Sequence, residues 1–300
     1  MSYLPGFSPL PEGACLAVVA PAGPPKPGQL AQLPGLLAAH GFRAKIFPGC
    51  AGPAKLGFLA AADAQRLADL HAAFADPEVD AVLCLRGGYG SARLLAGIDT
   101  ALLRRHPKLL IGFSDITALH SLRDGLGQAG LHAPMPASNL LDADAGDDAR
   151  ALFELLHRGL RAGDLMAPDL EAHALNQGEQ MSGRLIGGNL AVFTALTGTP
   201  WAPQAQGAIV FLEDISEDPY RVDRMLCQLA QTGVLAAAAG FLIGSFSGAD
   251  SADEVLADYL APLGKPILAG WPAGHCRPHW PLPLGLPVLM DVDAGSLRLL

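Results

Sequence analysis

Short, unbroken apolar runs alternate with amphipathic segments through the first half of the chain. CLAVVA (15–20), closed by Pro21 and Gly23, suits a strand buried on both faces. GQLAQLPGLLAAHG (28–41) has helical spacing, with Pro34 expected to kink it or to mark its true start. FRAKIF (42–47) alternates as a strand does, and AADAQRLADLHAAFAD (61–76) sets Leu67, Leu70 and Phe74 on one helical face. DAVLCLR (80–86) and LLIGF (109–113) are further buried strands. A helix over 115–127 and the short run LHAPM (131–135) follow. Strands separated by helices of this length imply right-handed crossovers and a parallel sheet covered on both sides. In such sheets ligands sit beyond the carboxyl ends of the strands, the edge where RGGYG (86–90) and GFSD (112–115) fall.

Periodicity weakens between 141 and 180, which reads as a linker. The expected organisation is therefore an α/β domain over 1–140 and a second, mixed unit over 181–300. Half of the 300 residues are hydrophobic and 16% are charged, enough apolar material for a large core and too little charge for a disordered chain. The 35 glycines and 25 prolines lie scattered between apolar runs and mark turns. A formal charge of −9 argues against a nucleic-acid or anionic-membrane partner. CLAVVA lacks a basic flank, and the run 234–246 is too short and glycine-broken to span a bilayer, so a cytoplasmic location is expected. Five widely spaced cysteines with no CxxC pair point to neither a disulfide framework nor a zinc site.

Four stretches can carry chemistry. Ser114, at a strand-to-helix turn, is either a helix cap or a nucleophile whose neighbour Asp115 offers a backbone N–H to an oxyanion. Gly112 matches the first glycine of G-x-S-x-G, but Ile116 stands where the second belongs. The glycines of RGGYGS (86–91) can aim N–H groups at an anion, form a phosphate cradle, or simply turn. Glu213 ends the apolar run of IVFLED, where a carboxylate needs a partner: Arg221 or Arg224 in a structural pair, or a histidine to orient. PAGHCRPHW (272–280) places His275 and His279 in a loop that could hold a base. Taken together they supply nucleophile, base, orienting carboxylate and oxyanion donors.

The chain resembles the LD-carboxypeptidase family of serine peptidases. The likeness is carried by VVAPAG (18–23), CLRGGYGSARLL (84–95), IGFSDITALH (111–120), HAPM (132–135), GRLIGGNLAVFTALTGTP (183–200), FLEDISEDPYRVDRML (211–226) and GHCRPHWPLPLG (274–285). The resemblance implies a flavodoxin-like, parallel-sheet N-terminal domain bearing the nucleophile and a smaller, mixed, β-rich C-terminal domain. It further implies a triad of Ser114, Glu213 and His275, with Gly88 and Asp115 N–H groups as oxyanion donors. The implied reaction releases the terminal D-alanine of a murein tetrapeptide during cytoplasmic peptidoglycan recycling, by a homodimer that uses no metal or cofactor. Cys276 and His279 depart from the family pattern, as does Ala133 in HAPM, and these changes bear on substrate preference. For the substrate carboxylate Arg86, Tyr89, Asn189 and Arg221 are candidates; a salt bridge holding the domains is the alternative for Arg86 and Arg221. Two rival functions are a microcin-immunity-type peptidase cleaving an aminoacyl-nucleotide antibiotic and a non-catalytic α/β module that uses GGYGS to hold an anion.

Overall fold

The computed structural model describes residues 2–300. Its strands are β1 (Cys15–Val19), β2 (Arg43–Ile46), β3 (Ala81–Cys84), β4 (Leu109–Ile111), β5 (Gly130–His132), β6 (Leu165–Met166) and β7 (Gln180–Asn189). They continue with β8 (Ile209–Ile215), β9 (Gly240–Ser247), β10 (Ile267–Ala269), β11 (Leu282–Leu284), β12 (Pro287–Asp291) and β13 (Ser296–Leu299). The first sheet runs β11-β5-β4-β3-β1-β2. From β2 to β5 it is parallel in the order 2-1-3-4-5, the flavodoxin-like order, and β11 pairs antiparallel at its far edge. The strand order reverses between β1 and β3, so the loops after these two strands and β4 open one crevice.

Each short apolar run became a strand because both of its faces are covered. Along β1, Leu16 and Val18 enter one core layer while Cys15, Ala17 and Val19 enter the other. The helix Asp63–Ala75 buries Leu70 and Phe74 in the second of these layers. Pro34 lies inside the helix Gln29–Ala39 rather than at its start.

The second sheet has seven strands, β10-β9-β8-β7-β12-β13-β6, parallel from β10 to β7 and antiparallel beyond. Leu185, Phe211 and Leu242 from its inner face belong to the same buried cluster as Leu16 and Val18, so the two sheets share a core. Residues 141–180 contribute the helix Gly146–Arg158, whose Leu152, Phe153, Leu155 and Leu156 lie in that shared layer. Among the described residues no helix is long and apolar enough to cross a membrane.

Candidate active site

β4 ends in a forced turn. Ser114 has φ +62°, in the left-handed region where a side chain costs about 1–2 kcal/mol. Neither the 3₁₀ turn Ser114–Ile116 nor the helix Thr117–Gly125 has a side-chain cap bond, so the Ser114 hydroxyl is not spent as a cap. A Cβ at Gly112 would meet Cys84 Cβ at 3.0 Å and Ile116 Cγ1 at 3.1 Å, so the backbone here presses on β3. His120 Nε2 donates to the Gly112 carbonyl at 2.8 Å. Burial pushes His120 down to about 3, which keeps the ring neutral and its role fixed.

The loops after β1 and β3 close against this turn. A Cβ at Gly87 would lie 2.8 Å from Ser114 Cβ and 2.9 Å from its Oγ, so only glycine brings this strand end so near the serine. Gly88 follows with φ +105°. Gly23 N–H donates to Gly87 O at 3.0 Å, and Arg86 Nη1 donates to Pro24 O at 2.8 Å, tying the two loops together. The Asp115 carboxylate accepts Ser91 N–H at 2.7 Å while the Ser91 hydroxyl donates to the Asp115 carbonyl. Burial pushes the Asp115 carboxyl up, against those bonds from Ser91. Beneath the loops lies the buried Arg66. It donates to Pro21 O, to Gly90 O at 3.0 Å and to Ala61 O at 3.2 Å, and it pairs with Asp63 at 2.6 Å.

The second sheet brings the acid and the imidazole. Glu213 stands opposite Asn189 of β7, where the pairing of β8 with β9 shifts register between Leu212 and Asp214. Such a bulge re-aims side chains at the strand end. Glu213 is wholly buried, and its Oε2 accepts His275 Nδ1–H at 2.7 Å and His275 N–H at 3.2 Å. A Cβ at Gly274 (φ +106°) would sit 2.5 Å from Glu213 Oε2, so this glycine lets the histidine loop lie on the carboxylate. Burial alone would raise Glu213, yet the His132 and His275 imidazoles hold it below the ordinary carboxylate range. Burial alone would lower His275, but its bond to Glu213 and the charges of Glu213 and Asp214 raise it. The His275 ring lies 4.9 Å, centre to centre, from Phe113, the residue before Ser114.

Glu213 thus pairs with a histidine and not with Arg221 or Arg224. Arg221 is held locally, by Glu217 at 3.6 Å and Asp218 at 4.0 Å, and bridges no domains. The Asn189 amide is spent inside the protein: Nδ2 donates to Asp214 Oδ1 at 2.8 Å and Oδ1 caps Val192 N–H at 3.2 Å. Burial, aided by the Glu213 charge, pushes Asp214 up to about 6. Tyr89 is exposed beside Gly88, edge-on to Phe58. Arg86 makes no ion pair among the described residues, and only Pro24 O occupies its guanidinium. Sequence reading assigned Arg66, Ser91, His120 and His132 no roles of their own, although they face the loops and strand ends of this site.

Residues 16–133 match the LD-carboxypeptidase N-terminal domain and residues 182–290 the LD-carboxypeptidase C-terminal domain. A Bacillus subtilis (strain 168) protein named "Probable murein peptide carboxypeptidase" is 38% identical over 294 residues, 94% of this chain and 90% of that protein. The crystal structure of muramoyltetrapeptide carboxypeptidase from Oxalobacter formigenes is 29% identical with a TM-score of 0.84, covering 95% of this chain and 97% of that one. The microcin C7 self immunity protein MccF in its apo state shares the fold at a TM-score of 0.88 and 20% identity, with 98% and 97% covered. With both of its domains matched and its sheets arranged as in a solved carboxypeptidase, this chain belongs to the LD-carboxypeptidase family.

Proposed function

We propose that this chain is a serine carboxypeptidase that removes the terminal D-alanine from murein tetrapeptides, with Ser114 as nucleophile, His275 as base and Glu213 as its orienting acid. The 2.7 Å bond from His275 Nδ1 to a wholly buried carboxylate carries this reading, because it leaves Nε2 as the ring's proton acceptor. The names of the relatives supply the substrate class.

In this scheme His275 Nε2 takes the Ser114 proton as Oγ attacks the carbonyl preceding D-alanine. Glu213 keeps the imidazole in one tautomer and stabilises its cation. The N–H groups of Gly88 and Asp115 receive the oxyanion. Asp115 lies in the first turn of a 3₁₀ helix, where an N–H has no acceptor within the helix. Each such donor is worth about 3–4 kcal/mol in the transition state. His275 then protonates the departing amine, and water releases the acyl group. We assign the substrate's terminal carboxylate to Arg86, whose Nη2 lies 4.0 Å from where a Gly88 Cβ would stand and whose fork has donors to spare.

Mass spectrometry of a murein tetrapeptide after incubation tests the proposal. Loss of one alanine is expected, and Ser114→Ala should abolish turnover while retaining binding. Near-normal turnover by that variant would overturn the scheme. A parallel incubation with an aminoacyl-nucleotide conjugate separates the tetrapeptide substrate from the antibiotic one.

A further inference from the structure

Behind the Glu213–His275 pair lies a second set of polar groups that the proposed reaction does not use. His132, at the end of β5, is wholly buried, as is His279 in the loop before β11. His132 Nε2 faces Glu213 Oε1, the oxygen not bound by His275, across 3.9 Å. Both of these atoms lack a hydrogen-bond partner, although a movement of about 1 Å would make one. On the other side of the ring, His132 Nδ1 lies 3.3 Å from His279 Nε2. The His279 backbone N–H is in turn anchored on the buried Asp148 at 2.7 Å, and Arg277 stands 3.7 Å from the other Asp148 oxygen. Phe113 packs against all three imidazoles, His132, His275 and His279, with ring centres 4.7–5.7 Å away, and Phe211 packs edge-on to His132.

The proton directions in this chain follow from chemistry. Burial, with His132 beside it, holds His279 well below the ordinary histidine value, so that ring is neutral. An ionised Glu213 only accepts hydrogen bonds, so the His132 nitrogen facing it must carry the proton. The contact between His132 Nδ1 and His279 Nε2 holds one proton. Were it on His132, the neutral His279 would carry a buried Nδ1–H with no acceptor, so the proton belongs on His279 Nε2 and His132 Nδ1 accepts it. This leaves His279 Nδ1 bare, and that atom has no partner in the structure. In this arrangement His279 donates to His132, the His132 Nε2–H points at the free Glu213 oxygen across 3.9 Å, and His275 donates to Glu213 from the other side.

We infer that His132 and His279 are positioning residues, a buried imidazole relay that holds the free oxygen of Glu213 so that its other oxygen stays on His275. An orphaned carboxylate oxygen in an apolar pocket is costly. Without the relay Glu213 would turn toward whatever donor it could reach, and His275 would lose its fixed tautomer. The inference rests on the proposed triad for its catalytic meaning, but its geometry can be tested separately.

Nitrogen-15 NMR of the unaltered protein at neutral pH should show both His132 and His279 as neutral Nε2–H tautomers. Finding either ring charged, or protonated at Nδ1, would overturn the relay whether or not the protein cleaves a tetrapeptide. In kinetics, His132→Leu should lower kcat about 10- to 100-fold with KM within about twofold, the loss typical of removing a group that orients a first-contact residue. His132→Gln places an amide N–H near the lost Nε2–H and should recover most of the activity. Leucine and glutamine variants behaving alike would show that only the ring's bulk mattered, and would overturn the role. If the unaltered protein cleaves no tetrapeptide, the triad reading fails and the NMR result still decides the relay.

Discussion

Gly87→Ala asks whether the closeness of the β3 loop to Ser114 is functional. Gly87 has no left-handed φ, so alanine fits its backbone, and the consequence is confined to the methyl group. That methyl would stand 2.8 Å from Ser114 Cβ, 2.9 Å from Oγ and 3.5 Å from the Asp115 nitrogen. Ordinary contact begins near 3.4 Å, so the hydroxyl must retreat by about 0.5 Å or more. Ser114 is already held at φ +62°, and its backbone has little freedom to yield. A misplacement of ~1 Å in a reacting group costs about 10²-fold, and the methyl also crowds the N–H assigned to the oxyanion. We therefore expect kcat for D-alanine release to fall by at least ~10²-fold, with overpacking lowering stability by about 1–3 kcal/mol. The assay is D-alanine release followed by a coupled oxidase, beside a thermal melt. Gly125→Ala is the control, because nothing lies within 4 Å of its added methyl. Gly87→Ala turning over within about threefold of the unaltered protein would refute the argument.

Three further outcomes follow from the same geometry. Glu213→Gln should lower kcat by about 10⁴-fold. It should also move the limb along which kcat/KM rises with pH to lower pH, since the carboxylate raises His275 and the base works only when neutral; an unmoved limb would separate Glu213 from the titrating group. Arg86→Ala should raise KM for a free-acid tetrapeptide about 10- to 100-fold, the worth of a charge-assisted bond. A C-terminally amidated analogue should lose little, and equal losses would remove Arg86 from carboxylate binding. Arg66→Met strands the Pro21, Ala61 and Gly90 carbonyls. Asp63 is partly exposed and keeps Arg93, so the loss is that of the stranded buried carbonyls, about 1–3 kcal/mol each. The melting midpoint should fall by roughly 10 °C, and a shift under about 2 °C would argue that the loops hold themselves.

Period and flanking glycines made the parallel part of the first sheet readable, since CLAVVA, DAVLCLR and LLIGF are buried on both faces and have no polar alternation to hide. β11 was not readable in this way. WPLPLG (280–285) carries prolines at 281 and 283 and reads as a loop; it forms a strand only because it lies at a sheet edge, where a missing N–H is tolerated. The helix Gly146–Arg158 falls within the stretch read as a linker, and its burial between the layers was not legible, because that depends on what packs there. Ser114, Glu213 and His275 could be picked out as candidates because each sits at the end of an apolar run or in a glycine loop. Arg66 and His132 could not, because the carbonyls and carboxylate they face come largely from distant segments, and His120 could not, because its bond back to Gly112 depends on how β4 turns into the helix. Asn189 shows contacts of the same kind: its amide reaches Asp214 and caps a helix terminus, partners that the strand-end position did not reveal.

The antiparallel pairing of β11 with β5 sets an order of assembly. Residues 282–284 are synthesised some 150 positions after the strand they cover, yet Leu282 stands in register with His132 and the segment just before it supplies His279. Until that late segment docks, β5 is an open sheet edge, available to any other extended chain. A ribosome-bound chain lacking it would hold Ser114, Glu213 and His275 but leave the wall behind the acid unfinished. Fragments ending before 280 should therefore self-associate, through this edge and through the β7 edge that β12 covers, and a separate peptide spanning β11 to β13 should rescue them. β11 acts as a latch, so that the wall behind the acid closes only after the segment that follows His279 has been made.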